Sequence, residues 1–343
     1  DIFGSIFFML SRYEEVVSNK RDQFERFSAT DSLAYQESFL DRAIVNEYLD
    51  ILWYCIKALF PELEKRKHKY NVCVSADVDE PYSYSTKSFF RLAKRLAGDI
   101  VKRKSLGAAR RTLINYYSSK NGNYDNDPFF PEFKWMMDTN ELLNNQMTFY
   151  FLVNNQLPVD GLYKINELII EELIQEIVLR GHNIGLHASF NSYLDQEKII
   201  EEVDIAKSML KKHGIESNIL ESRQHYLRWE TPSTPRLLDE ANVRRDASMG
   251  FADHVGFRAG TCYEYTFFDV QELKELDLII KPLIFMEVSL FSYMGFPYNK
   301  KAFEIVQDLK NTCKYHNGTF TVLWHNSQLY EIEAKEFYKK IIS

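Results

Sequence analysis

From residue 71 to the end of the chain, short apolar runs alternate with amphipathic stretches, and this alternation constrains the fold more than any other feature. Strand patterns fall at 71–76, 147–153, 183–187, 218–223, 244–248 and 319–325. Helical patterns fall near 86–104 and at 164–180, 194–213, 233–241 and 300–314. The run MTFYFLV at 147–153 has no polar face, as a strand buried on both sides requires. Strands separated by helices are expected to lie parallel, because the crossover helix returns the chain to the edge it started from. Six or seven such units over about 270 residues suit a (β/α) barrel. An open doubly wound sheet fits less well, since no glycine-rich phosphate loop follows the first strand. The expected fold class is α/β.

The first part of the chain has another texture. Asp41 can cap a helix whose apolar positions Ile44, Val45, Tyr48, Leu49, Leu52, Cys55, Ile56 and Leu59 repeat every 3.6 residues until Pro61 stops it. A charged stretch, Glu62 to Lys69, precedes the first strand. The expected organisation is a helical region over 1–69 and a barrel over 70–343. Residues 87–111 carry nine Lys or Arg against Asp99 alone, which reads as solvated helix, with an anionic ligand or a membrane surface as the alternatives.

Composition narrows the function classes. With 45% hydrophobic and 27% charged residues in 343, the chain can bury a sizeable core, so disorder is excluded. Lys+Arg 42 against Asp+Glu 49 leaves a net charge of −7, without the basic surplus of a nucleic-acid binder. The apolar run Ile2 to Leu10 is too short to span a bilayer and lacks the basic flank of a signal peptide. Cys55, Cys73, Cys262 and Cys313 show no CxxC spacing and stand among apolar neighbours, as small buried hydrophobes in a reducing compartment would. The expected location is the cytoplasm.

Barrel enzymes keep their reactive groups at the C-terminal ends of the strands. The expected exits are unusually polar: Asp77 and Asp79 in SADVDEP, His187 in GHNIGLHASFNSY, Arg223, His225 and Arg228 in ESRQHYLRW, and His325 in TVLWHN. Each has a plainer reading, since an Asp pair can shape a turn and a lone His is more often structural than ligating. Together they suit metal-assisted hydrolysis: carboxylate and imidazole hold the ion, a second carboxylate takes a proton from water, and a His protonates the leaving group. His182, at a strand start on the opposite rim, reads as structural. His68, His213, His254 and His316 have no expected role.

The ordered set Asp-Val-Asp, Gly-His-Asn-Ile-Gly-Leu-His, an Arg-containing third motif and a final strand ending Leu-Trp-His resembles the polysaccharide deacetylases, carbohydrate esterases with a distorted (β/α) barrel, over residues 70 to 330. RQHYLRW, RRDASMGF and GFRAGT resemble a branch found with bacterial surface-polysaccharide biosynthesis. DIFGSIFFMLSRYEE and FLDRAIVNEYLDILW resemble its helical N-terminal region. The resemblance implies a divalent metal, zinc by preference, held by Asp79 and His187. It also implies Asp77 as general base, Arg223 orienting it, and His325 as general acid. The implied substrate is an N-acetylated sugar of a surface glycan or a lipid-linked precursor. Arg228, Trp229, Trp324 and Arg258 are the expected sugar contacts, the tryptophans because a chain with 15% aromatic residues has rings on which a sugar can stack.

Two positions depart from the pattern. Asn191 stands where the second metal histidine is usual, and Ala76 where the branch tends to carry His. A neutral amide is a poor zinc ligand. His225 is the first candidate for the missing ligand, with Asp77 or an inward His325 as the others. The alternative is a glycan-binding protein without turnover. A two-carboxylate glycoside hydrolase ranks lower, because Asp77 and Asp79 share one loop. A serine hydrolase lacks its GxSxG elbow.

Overall fold

The computed structural model describes residues 1–215 and 220–343. Four helices lead: α1 (Ile2–Leu10), α2 (Tyr13–Val17), α3 (Leu33–Gln36) and α4 (Ile44–Leu59). There follow β1 (Asn71–Val78), α5 (Phe89–Ala97), α6 (Leu106–Lys120), α7 (Pro131–Glu141), β2 (Met147–Leu152), α8 (Leu168–Leu179), β3 (Asn183–Ala188), α9 (Gln196–Lys212), β4 (Glu221–Gln224), α10 (Ser233–Glu240) and β5 (Arg245–Asp246). The chain ends with β6 (Tyr265–Asp269), β7 (Lys274–Ile280), β8 (Phe285–Met286), α11 (Lys300–Tyr315), β9 (Thr319–Leu323) and α12 (Ile332–Ile342).

Among the described residues nine strands form one sheet in the order β6-β7-β5-β4-β3-β2-β1-β9-β8, parallel except for the antiparallel β6–β7 pair. All six residues of β2 are buried, with Phe149, Phe151 and Leu152 at the centre of the main core cluster. Truncating one such phenylalanine to Ala costs about 3–5 kcal/mol. The segment that follows β5 is bonded to the segment that leads from β7 into β8: Leu283 N–H donates to Met249 O and Gly256 N–H to Ile284 O, each 2.9 Å. The result is a mixed α/β fold around a mainly parallel sheet, in which loops, and not a closing strand ladder among the described residues, join its two halves.

Several sequence expectations need correction. The helix expected over 86–104 is α5 followed by a wider π turn, Gly98–Lys102. The strand expected at 218–223 is β4, beginning at Glu221; residues 218 and 219 lie outside the described residues. β6, β7 and β8 had no counterpart in the sequence reading. The α4 helix buries only Val45 and Asn46, so its apolar stripe is left largely uncovered, and Cys55 on it is exposed, not buried.

The helical region is tied to the sheet by polar and apolar contacts. Phe27, Ala29, Ala34 and Leu40 cluster with Phe251. Phe257 N–H donates to Leu40 O and Val45 N–H to Gly260 O, each 2.8 Å. Beneath them Glu15 takes two bonds from Arg258 (2.8 and 2.9 Å) and one from Arg12 (2.9 Å), all three side chains being buried. Burial alone would raise the pKa of Glu15, but the two guanidiniums outweigh it and pull it down to about 2.

Candidate functional site

Parallel register brings the polar residues to one rim. Asp77 pairs with Tyr150, Leu152 with His187, and His187 with Arg223. Trp324 N–H donates to Ser75 O at 3.0 Å, which carries the next residue, His325, to the same level. After β4 the chain turns at once through two left-handed residues, Tyr226 (φ 61°) and Leu227 (φ 53°), a costly conformation that throws His225 inward. Gly161 (φ 84°) crosses the back of the rim, where an added Cβ would lie 2.6 Å from Asp79 O.

Asp79, His187 and His225 offer three ligand atoms within 4.8 Å of one another. Asp79 Oδ1 lies 3.2 Å from His187 Nε2 and 3.6 Å from His225 Nε2. Ligands about 2.0–2.2 Å from a tetrahedral zinc stand about 3.3–3.6 Å apart, close to the two separations from Asp79. The tautomers point the same way. His187 Nδ1–H donates to Arg223 O at 2.8 Å, and His225 Nδ1–H donates to Asp160 Oδ1 at 2.9 Å. Both acceptors can only accept, so in the neutral rings both Nε2 lone pairs face Asp79 Oδ1, itself buried and without a hydrogen bond among the described residues. Three acceptors aimed at one point call for a cation.

Electrostatics agree with this geometry. Burial works against charge on His225, yet the carboxylates of Asp79 and Asp160 lift its pKa to about 9. Burial would raise Asp79, but the histidines hold it well below the carboxylate range. Where no ion is bound, a proton satisfies the same attraction.

Around this centre stand the other rim residues. Asp77 Oδ2 is 3.6 Å from His187 Nε2, and Asp77 Oδ1 is 3.4 Å from Arg223 Nη1, whose guanidinium packs over the Tyr150 ring. His325 Nε2 is 3.5 Å from Asp79 Oδ2, and its Nδ1–H donates to Glu287 Oε1 at 2.5 Å. Burial opposes protonation of His325, but Glu287 and then Asp79 outweigh it and push the pKa up to about 10.

Asp77, Asp79, His187, His225 and His325 line a cavity of about 520 Å³, together with Arg26, Tyr84, Tyr226 and Tyr293. The expected sugar contacts do not reach it. Trp229 and Trp324 are 1% and 0% exposed, packed against Phe267 and against Phe285, Phe291 and Phe337. Arg258 is committed to Glu15 and Gly250 O. Arg228 is clamped between the Phe190 and Tyr193 rings and donates to Phe24 O, Phe190 O, Asn191 Oδ1 and Tyr193 Oη. Asn191 therefore braces a loop and supplies no metal ligand. His182 Nδ1 accepts from Met147 N–H at 3.2 Å, a structural contact at the far rim.

Asp160 and Glu287, the groups that orient the two histidines, were missed in the sequence. Asp160 closes a short 3-10 turn, Pro158–Asp160, eight residues beyond the end of β2 and so past the strand exit itself, and Glu287 follows the two-residue β8, which left no strand pattern in the sequence.

Residues 1–61 match a family of unknown function, DUF7033. No curated protein matches the sequence. Among solved structures the chain is similar to a protein assigned as a polysaccharide deacetylase from Mycobacterium smegmatis (14% identity, TM-score 0.47, covering 82% of this chain and 85% of that one). It is also similar to the allantoinase Puue (11%, 0.48, 81% and 87%) and to a protein assigned as a polysaccharide deacetylase from Pseudomonas aeruginosa PAO1 (10%, 0.46, 80% and 84%). At these identities and TM-scores the likeness assigns neither a residue nor an activity.

Proposed function

We propose that the protein is a metal-dependent hydrolase that removes the acetyl group from an N-acetylated sugar of a surface glycan or its precursor, with zinc at Asp79, His187 and His225. The observation that carries this reading is the convergence of those three ligand atoms beside Asp77 on one side and His325 on the other. A divalent ion there would polarise the acetyl carbonyl and make water a better nucleophile.

The remaining roles fall to the chain's own groups. Asp77, oriented by Arg223, takes a proton from the attacking water. The oxygen of that water bonds to the acyl carbon and the carbon–nitrogen bond breaks. His325, protonated and held by Glu287, gives its Nε2 proton to the departing nitrogen. Tyr84, Tyr226 and Tyr293 offer the ring surface on which a sugar stacks, in place of the two buried tryptophans. Trapping the substrate between base and acid accounts for both halves of the proton balance.

The test is acetate release from N-acetylglucosamine oligomers by zinc-loaded protein, with and without chelator. Release that stops with chelator and returns with zinc is expected. Zinc-loaded protein that binds the oligomers and releases no acetate would replace this reading with glycan binding.

A further inference from the structure

We propose that the basic hairpin formed by α5 and α6 docks on an anionic lipid surface and presents the mouth of the rim cavity to it. Between Lys87 and Lys120 the chain carries ten Lys or Arg and one Asp, in a molecule whose net charge is −7. The one acid is spent internally: Asp99 is buried, accepting from Arg103 at 2.5 Å and from Thr112 Oγ1 at 2.6 Å. Arg91, Lys94, Lys102, Lys104, Arg110 and Arg111 are exposed and have no carboxylate partner among the described residues.

A solvated helix would hide its apolar side under such a coat of charge. This hairpin does the opposite. Phe89, Phe90, Val101 and Leu106 are 76%, 78%, 75% and 78% exposed, while among its large side chains only Leu92 is buried. The hairpin keeps its shape through polar staples, Asp99 within it and Asn115 to Asp127 at its base (2.8 Å). Phe89, Phe90, Val101 and Leu106 therefore contribute little to its own packing. Large apolar groups among unpaired cations are the pattern of an interfacial anchor, in which rings and aliphatic tips enter the headgroup boundary and ammonium and guanidinium groups meet lipid phosphates. A second copy of the same face would meet its own positive charge, which argues against self-pairing. The hairpin is continuous with the site, since Arg91 on α5 also lines the rim cavity. The inference does not depend on the chemistry proposed at the rim.

The experiment is co-sedimentation of the full chain with vesicles of phosphatidylcholine alone and of phosphatidylcholine with one-third phosphatidylglycerol. Expected is binding to the mixed vesicles, at least tenfold weaker binding to the neutral ones, and weakening by salt. Two variants separate the contributions: Phe89→Ser with Phe90→Ser, and Lys102→Glu with Lys104→Glu, Arg110→Glu and Arg111→Glu. Each is expected to lose tenfold or more in vesicle affinity while far-ultraviolet circular dichroism and zinc content stay as in the parent. Absent binding to mixed vesicles, binding that neither variant weakens, a preference for a single-stranded oligonucleotide over vesicles, or self-association that the charge variant abolishes would each overturn the proposal. Failure here with acetate release intact would leave the rim chemistry standing.

Discussion

The rim and the hairpin beside it are built on opposite terms. At the rim every imidazole is pinned by a second group: His187 by Arg223 O, His225 by Asp160, His325 by Glu287. On the hairpin the charged and apolar side chains are mostly held by nothing. The contrast teaches that exposure and polarity have different meanings in the two places. Buried acceptors aimed at one point demand a small cation, whereas exposed cations beside exposed rings suit a broad anionic surface.

That contrast can be attacked from its strongest side first. Exchanging His187 for Ala should abolish stoichiometric zinc, read by elemental analysis, and with it all acetate release. Asp77→Asn should keep the zinc but lower the rate of acetate release by about 10²–10⁴-fold, the usual worth of a positioned base. Retained turnover would remove Asp77 from the proton path.

Next comes the support beneath the rim. Glu15→Ala leaves Arg258 buried without a carboxylate and Arg12 with Glu14 alone, and should cost about 3–5 kcal/mol in urea unfolding. The same pair predicts an acid limit. Because the folded pKa of Glu15 lies below its ordinary value of 4.5, its contribution is fully present above that pH and is lost as the pH falls toward about 2. That window is worth about 3 kcal/mol, which a pH series of melting curves on the parent and on Glu15→Gln would reveal. A smaller effect belongs to Asp160→Asn, which keeps the shape but weakens the brace on His225. Zinc affinity by competition with a chelating dye should fall about 10–100-fold. Smallest of all, Phe89→Ser should change unfolding free energy by no more than about 0.5 kcal/mol, since that ring packs on little.

Much of this arrangement was legible in the sequence, for a definite reason. Period-two and period-3.6 patterns mark strands and helices, and parallel register then forces strand exits to one level, so Asp77, Asp79, His187 and His325 could be grouped before their distances were known. His225 could be named as the replacement for Asn191 because it also follows a strand. Partners distant in sequence were not legible. Nothing local says that Arg258 answers Glu15, 243 residues away, or that Asp160 answers His225. Trp229 and Trp324 looked like sugar platforms because aromatic residues serve both cores and clefts, and only packing tells which. β6 and β7 escaped notice because they form an antiparallel edge with mixed polarity, outside the strand–helix rhythm.

The bond between Arg258 and Glu15 also bears on how the two sequence textures are inherited. A chimera that set this sheet behind a foreign leader would carry a bare guanidinium facing Phe251, and supplying residues 1–17 with their own acid would be the least that could repair it. Leader and sheet are thus coupled through this pair, and an exchange of either one is expected to need the matching acid or arginine with it.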